Sequence, residues 1–507
     1  MAILTDSVAP GEPGAALEEL RSTHEGVKAR PEMRPVGGRS AALLLLAVLV
    51  ILSAVVRFIP IHNDLWLDEL VSLRMASMVK TPGQIFTALH TDNNHYLNTL
   101  YLYFVKNQNS PAVYRGLSLL WGVLLVPAGY WFLARRSRVE AMIFAGLLAG
   151  SYPLIHFSAE ARGYSGALLG STLAAAALAR WMAENNDKSR SFFLGLIYAG
   201  GLILAVLSHL TALLIWFPLA AGSLVILLER RERMRWIAGW MAVNFLPASV
   251  FAAIYFFDLR FLTESGGQPM RVSHGLARLL ALGLGVPGRG TVAVWLLVAP
   301  LAGLMAWQLA KERNSGDPLW LAMALIYAMP AMCVLVLHPG FFSPRYFLIV
   351  LPFLYAGVAM LLARLCSARK GRMIVAAVLV LFVAGQERLY GKFLEAGHGH
   401  FTAALEYMMA HTPSPRVIVT SNQDYRASVE LSYYAPRLLK HQQLLYVPQE
   451  NSSLQPDWYI LHQEGYELPG PASLSVPGQP EWFRVAYFGA SELSGQAWTI
   501  YSHQPGH

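Results

Sequence analysis

From residue 41 to residue 386 the chain repeats one pattern, a long apolar run followed by a short polar knot. The runs fall near 41–59, 113–133, 140–157, 163–182, 191–207, 210–228, 236–257, 291–310, 319–337, 346–365 and 372–386. The first, Ala41 to Ile59, holds about 19 residues; at ~1.5 Å of rise each, a helix of that length reaches ~28 Å and crosses a hydrocarbon core. No water solvates the backbone at that depth, so each run must be a helix that keeps its hydrogen bonds to itself. The fold class that follows is a mainly α, polytopic membrane protein with about 11 transmembrane helices. Composition agrees: 14% of residues are charged, against about 25% in an ordinary soluble domain.

The knots set the topology. Arg135, Arg136 and Arg138 form one; Lys188 and Arg190 a second; Arg230, Arg231, Arg233 and Arg235 a third; Lys311 and Arg313 a fourth; Arg364, Arg369, Lys370 and Arg372 a fifth. With eleven spans all five fall on the side of the N-terminal stretch, which adds Arg21, Lys28, Arg30, Arg34 and Arg39. By the positive-inside rule that side is the cytoplasm. The formal net charge of +8 is thus spread along a membrane topology. It forms no basic patch on a soluble domain, so nucleic acid is not expected as a partner. Residues 1–40, rich in Gly, Pro, Glu and Arg, read as a disordered cytoplasmic tail before an uncleaved first span. Tyr96 to Gln108 is apolar over too few residues to cross and reads as an interfacial or re-entrant helix.

This topology gives the outer face a loop over 60–112, three tight corners, a loop over 258–290 and the stretch from 387 onward. In that last stretch β-like runs (Arg416–Thr420, Gln443–Pro448, Asp457–His462, Phe483–Phe488, Ala497–Ser502) alternate with helical patterns near 400–411 and 424–434. Residues 387–507 are therefore expected to form an extracytoplasmic α/β domain. Cys333 and Cys366 lie in or at the end of apolar runs, which excludes a disulfide framework.

Ionisable groups at the membrane need a reason, and four outer clusters contain them. "WLDEL" carries Asp68 and Glu69 beside Trp66. These are a candidate base at the membrane surface; equally, Asp68 or Asp64 is a helix cap. "HTDNNHYLN" groups Asp92, Asn93, Asn94, His95 and Tyr96, where a cap explains one polar residue and not five. "SAEARGYSG" sets Glu160 and Arg162 between two spans, as a buried ion pair or with the arginine facing an anion. "SPRYF" opens a span with Arg345 and Tyr346. Its arginine either snorkels or grips phosphate through its planar fork of donors.

Taken in order, "WLDE", "NNHYLN", "EARGYS" and "SPRYF" resemble the motifs of GT-C type membrane glycosyltransferases, over roughly residues 41–386. The nearest branch is the bacterial one related to protein O-mannosyltransferases and the lipid A aminoarabinose transferase. The resemblance implies a multi-pass enzyme of the inner (plasma) membrane. Such an enzyme moves a sugar from a polyprenyl-phosphate carrier to a hydroxyl of a protein, lipid or glycan on the extracytoplasmic face. It implies Asp68 as the base and Glu69, the second of the acidic pair, as a catalytic residue beside it. Arg345, Arg162 and Tyr346 fall to the donor phosphate, while Asp92, Asn94, His95, Tyr96, Glu160 and Tyr164 shape the site. Two departures concern acceptor choice: the proline expected after His95 is absent, and Gly163 stands where the family often carries Pro or Met.

The chemistry of such a transfer needs one base to take the acceptor proton and cationic groups to hold the departing phosphate, with inversion at the anomeric carbon. Asp68, Glu69, Asp92 and His95 could ligate a divalent metal, but their spacing matches no specific motif. A phosphate held by arginines needs no cation, so no cofactor is expected. Two other classes compete with the enzyme: a transporter or flippase for a lipid-linked sugar, and a membrane scaffold that presents its outer domain to a partner.

Overall fold

The computed structural model describes residues 39–184, 187–230, 233–263, 272–286, 291–337, 343–438, 442–449, 454–465 and 468–504. Of the expected disordered tail over 1–40, residues 1–38 lie outside the described residues, as do Arg231, Arg271, Arg289 and the "HPGFF" ahead of Arg345, while Arg39 and Ser40 open the first helix.

Each predicted apolar run coincides with helix. These are α1 (Arg39–Phe58), α4 (Pro111–Ala134), the consecutive α5 (Arg138–Gly150) and α6 (Tyr152–Ser158), α7 (Tyr164–Ala183), α8 (Lys188–Ser208), α9 (Leu213–Leu228) and α10 (Arg233–Phe257), then α12 (Thr291–Asn314), α13 (Trp320–Leu337), α14 (Leu351–Leu365) and α15 (Arg369–Ala396). Among the described residues nine helices are long and apolar enough to cross a membrane, or ten if the bent pair α5–α6 is one span. The remaining one, α13, is apolar over the shorter Trp320–Cys333. Leu44, Ile51, Leu52, Val55 and Phe58 of α1 are all exposed, an outward apolar face that suits lipid and not water.

Between α1 and α4 lie α2 (Leu67–Met78) and the short α3 (Tyr96–Val105). With 10 residues α3 cannot span, which fits an interfacial helix. One amphipathic element was not foreseen, α11 (Val272–Leu284) inside the 258–290 loop.

The α5–α6 pair bends by 58°. The break leaves carbonyls of α5 without helical partners, and buried Arg57 supplies them. Its Nη1 donates to Ala149 O at 3.0 Å and its Nη2 to Leu148 O at 2.9 Å. α7 and α8 approach backbone to backbone, and a Cβ added to Gly170 would stand 2.4 Å from Gly201 O.

Three of the basic knots meet at one end of the bundle. Arg136 pairs with Glu140 at 3.0 Å and with Glu312 at 2.6 Å, Arg135 with Asp317 at 2.8 Å, and Arg364 with Glu312 at 2.7 Å. This places those helix ends on one side, in keeping with the even number of predicted runs between them.

The last apolar helix runs past residue 386 to Ala396. Beyond it, α16 (Phe401–Ala410) and α17 (Asp424–Leu438) pack on a six-stranded sheet of order β2-β1-β3-β6-β5-β4. The strands are β1 (Arg416–Ser421), β2 (Gln443–Tyr446), β3 (Trp458–Glu464), β4 (Ser473–Leu474), β5 (Trp482–Phe488) and β6 (Gln496–Ser502). β2, β1 and β3 are parallel; the other three join antiparallel. The apolar core of this domain does not close on itself. Phe401, Leu405, Val419, Tyr434 and Trp498 share one buried cluster with Leu65, Trp66, Leu70 and Leu73 of the first loop.

Candidate active site

Asp68 lies in the first turn of α2 with its side chain 21% exposed. Two guanidinium groups reach the same oxygen, Oδ2. Arg162 donates to it through Nη1, and Arg345 Nη1 stands 3.1 Å away. Arg162 comes from the tight corner between α6 and α7, and Arg345 from the 3-10 turn Pro344–Val350 before α14. Both cations face the indole of Trp66, at 5.7 and 5.6 Å from its ring centre. Arg345 Nε is buried and, among the described residues, makes no hydrogen bond.

Arg162 is fixed on its other edges. Nη2 donates to Asn93 Oδ1 at 2.9 Å, and Nε donates to His95 Nε2 at 3.1 Å. Asn93 in turn donates to Asp68 O at 3.0 Å. Because His95 Nε2 accepts, its ring is neutral with the proton on Nδ1. Burial, then Arg162, His209 and Arg345, hold its pKa well below the usual value. His209 stacks on it at 4.7 Å and is itself pushed down to about 3, by burial and then by the two arginines. Tyr164 closes this wall, 4.4 Å from His209. Gly163 permits the arrangement: a Cβ there would stand 1.7 Å from Ser208 O, so any side chain would push the His209 corner away.

Glu69 points elsewhere. It is 0% exposed and bidentate to buried Arg115, with Nε to Oε1 at 2.8 Å and Nη2 to Oε2 at 2.6 Å. It also accepts from Trp66 N at 3.2 Å and Ala161 N at 2.6 Å. The acidic pair therefore divides into one carboxylate open to the surface and one sealed inside. The helix cap expected of Asp68 or Asp64 goes to this same Glu69–Trp66 bond. Asp64 instead caps α16 of the sheet domain, accepting from Thr402 N at 2.8 Å and Thr402 Oγ1 at 2.9 Å.

Glu160 and Arg162 form no pair. The carboxylate turns the other way, 3.1 Å from His156 Nε2 and 3.3 Å from His398 Nε2. Those three residues are the one described group able to hold a metal ion. The combination of Asp68, Glu69, Asp92 and His95 does not assemble, because Glu69 is spent on Arg115 and His95 Nε2 on Arg162.

Tyr96 donates to buried Asp258 at 2.6 Å, and His90 meets the same carboxylate at 2.6 Å. Burial and then Asp258 raise the Tyr96 phenol above its usual value. Asn94 Nδ2 donates to Ile85 O at 2.8 Å and Leu89 O at 3.2 Å, pinning the loop. Around these residues lies a pocket of ≈ 320 Å³, open solvent at its mouth included, lined by Asp92, Asn94, His95, Tyr96, Ser208 and His209 among others. Tyr346 stands within electrostatic reach of Arg345, Asp92, Arg162 and Asp68.

Sequence reasoning did not single out Asp258, Arg115 or His209. Arg115 and His209 sit at the ends of apolar runs, where an ionisable side chain needs a partner; that was the available signal.

No protein-family model matches the chain, and no curated protein matches it. Solved structures do. ArnT from Cupriavidus metallidurans, in the apo state, is similar over 92% of this chain and 98% of its own, with a TM-score of 0.51 and 14% identity. The apo oligosaccharyltransferase of Archaeoglobus fulgidus is similar over 80% of this chain and 64% of its own, with a TM-score of 0.51 and 11% identity. At such identities the likeness is one of fold; it bears out the GT-C-like polytopic membrane architecture that the four motifs imply, and the C-terminal sheet domain agrees with the alternation read in the sequence.

Proposed function

We propose that the chain is a membrane glycosyltransferase that takes a sugar from a polyprenyl-phosphate carrier and passes it to a hydroxyl of a protein, lipid or glycan. One observation carries this reading: two arginines from separate corners converge on one half-open carboxylate at the mouths of the spans. The GT-C type fold supports it, since an oligosaccharyltransferase shares that fold.

The chemistry follows from the arrangement. The phosphate of the donor competes with Asp68 for Arg345 and Arg162, and the unused Nε of Arg345 offers it a further donor. Asp68, released from the arginines, takes the proton of the acceptor hydroxyl. The acceptor oxygen bonds to the anomeric carbon as the bond from that carbon to the phosphate oxygen breaks. Polyprenyl phosphate leaves with the electron pair, held by the arginines, and the anomeric configuration inverts. Glu69 touches no reacting atom in this scheme; it positions the first turn of α2 through Arg115 and Ala161. Tyr346 borders the phosphate, while Asp92, His95, Tyr164 and the adjoining pocket shape the sugar or acceptor side. In this reading the site lies on the extracytoplasmic face of the inner membrane, with the basic knots and the N-terminus in the cytoplasm; the positive-inside rule supports it.

The test is transfer itself. Purified protein in lipid nanodiscs receives a panel of radiolabelled polyprenyl-phosphate sugars with membrane extract as acceptor. Label transferred to the acceptor is the expected result. In sealed vesicles, lipid-linked sugar crossing the bilayer without transfer would establish a flippase instead.

A further inference from the structure

The His156–Glu160–His398 cluster lies outside the chemistry described above. His156 is on α6, Glu160 in the corner after it, and His398 in the link between α15 and α16. All three are 0% exposed. Ser494, from the loop before β6, puts its hydroxyl against both His156 Nε2 and Glu160 Oε1.

We propose that His156, Glu160 and His398, with Ser494 packed against them, form a structural zinc site that fastens the outer domain to the membrane bundle. Three observations carry it. First, the spacing fits. Ligands held ~2.0–2.1 Å from a tetrahedral zinc ion stand about 3.3 Å apart. His156 Nε2 and His398 Nε2 lie 3.1 and 3.3 Å from Glu160 Oε1.

Second, the protein alone leaves the cluster unsatisfied. Glu160 Oε2 and both ring nitrogens of His398 are buried without a hydrogen-bond partner. Arginine or lysine does not pair with Glu160 among the described residues, because Arg162 faces Asp68. A sealed carboxylate beside two imidazoles is costly unless a cation lies among them. Two imidazoles and a carboxylate are a donor set suited to zinc.

Third, the backbone holds the ligands in place. His398 sits between Gly397 at φ +56° and Gly399 at φ +146°, a left-handed path that glycine permits. Ser491 N donates to Gly397 O at 2.9 Å and Gln496 N to His398 O at 3.0 Å. Phe393 closes the cluster, 4.5 Å from the His156 ring and 5.1 Å from that of His398. Enclosed by side chains that are 0% exposed, the ion has no solvent access and no route for a substrate. Its place is structural, and Glu160 is two residues from Arg162.

Elemental analysis of tag-free full-length protein in detergent tests the proposal independently of any transfer assay. Stoichiometric zinc is expected, lost in both His398→Ala and Glu160→Gln, with a melting temperature that falls on chelation and returns with added zinc. Should those variants fail to fold, wild-type protein stripped of metal and titrated with Co²⁺ is the second measurement. The intense visible absorption of tetrahedral cobalt is expected at one equivalent. Folded wild type that takes up neither ion stoichiometrically, or variants that keep the wild-type metal content, would overturn the proposal.

Discussion

Arg162 and Arg345 end on the same carboxylate oxygen, Oδ2 of Asp68, and face the same indole, that of Trp66. Each arginine is thereby pointed at the place where a second anion would sit. Of the two, Arg162 is anchored on all its edges and Arg345 is not. In the proposed mechanism Arg345 is therefore the group whose removal most directly weakens donor binding.

Arg345→Ala is expected to raise the KM for the polyprenyl-phosphate donor by roughly 10- to 100-fold, the value of one or two charge-assisted hydrogen bonds. Arg345→Lys keeps the charge and loses the fork, so its KM should fall between the two. Steady-state kinetics against donor concentration give the answer; an unchanged KM in Arg345→Ala removes the residue from the site.

Glu69 gives the opposite signature. Breaking a buried bidentate pair leaves the Arg115 charge without its counter-ion, held only by the carbonyls of Ile61, Asn63 and Asp64, at a cost of about 3–5 kcal/mol. Glu69→Gln should therefore melt well below wild type, with activity lost in step with fold. A variant that melts like wild type but transfers nothing would mean that Glu69 acts in the chemistry.

Asp64 links the first loop to the sheet domain through the N-terminus of α16. Asp64→Ala removes that cap, at about 1 kcal/mol. The expected result is faster amide exchange over residues 397–404, with the rest of the sheet domain unaltered. Unchanged exchange there would show that the apolar cluster alone holds the domain.

Acid should destabilise the protein from about pH 6.5 downward. His95, His209 and His462 all lie below the usual imidazole pKa, burial being the first cause in each; His209 and His462 reach about 3. Each stays neutral when folded and takes a proton when unfolded. The stability this gives is complete above ~6.5 and is lost as pH falls toward the folded values, at about 1.4 kcal/mol per pH unit for each histidine. Glu430, raised by burial, works against them above its unfolded pKa. Three histidines against one carboxyl leave the slope in the acid-destabilising direction. Melting temperatures between pH 5 and 7.5 decide it, and a flat profile would contradict the neutral burial of these rings.

Much of this architecture is legible in the chain because lipid allows few solutions. Every apolar run became a helix, and the basic knots of Arg135–Arg136 and Arg364 met at one end, since backbone satisfaction and charge leave no other choice. The outer strands were readable from alternation, except two-residue β4, too short to carry a period. Partner choice was not legible. Asp68 and Glu69 are adjacent, yet one turn of helix sends the first to the surface and the second to Arg115. Glu160 and Arg162 looked like a pair and face opposite ways. Such pairings depend on how distant corners pack, on Ser208 meeting Gly163 and Ser494 meeting Glu160, and no local spacing records them.

The most direct test of the central claim separates donor binding from chemistry in Asp68→Asn. In the proposed mechanism Asp68 competes with the donor phosphate for both arginines and afterwards serves as the base. The variant should therefore bind the polyprenyl-phosphate donor at least as tightly as wild type, with an unchanged melting temperature. Its turnover should fall by about 10²–10⁴-fold. Turnover close to wild type would show that Asp68 is not the base. Lost donor binding in a folded variant would show that the carboxylate builds the phosphate site instead of yielding it.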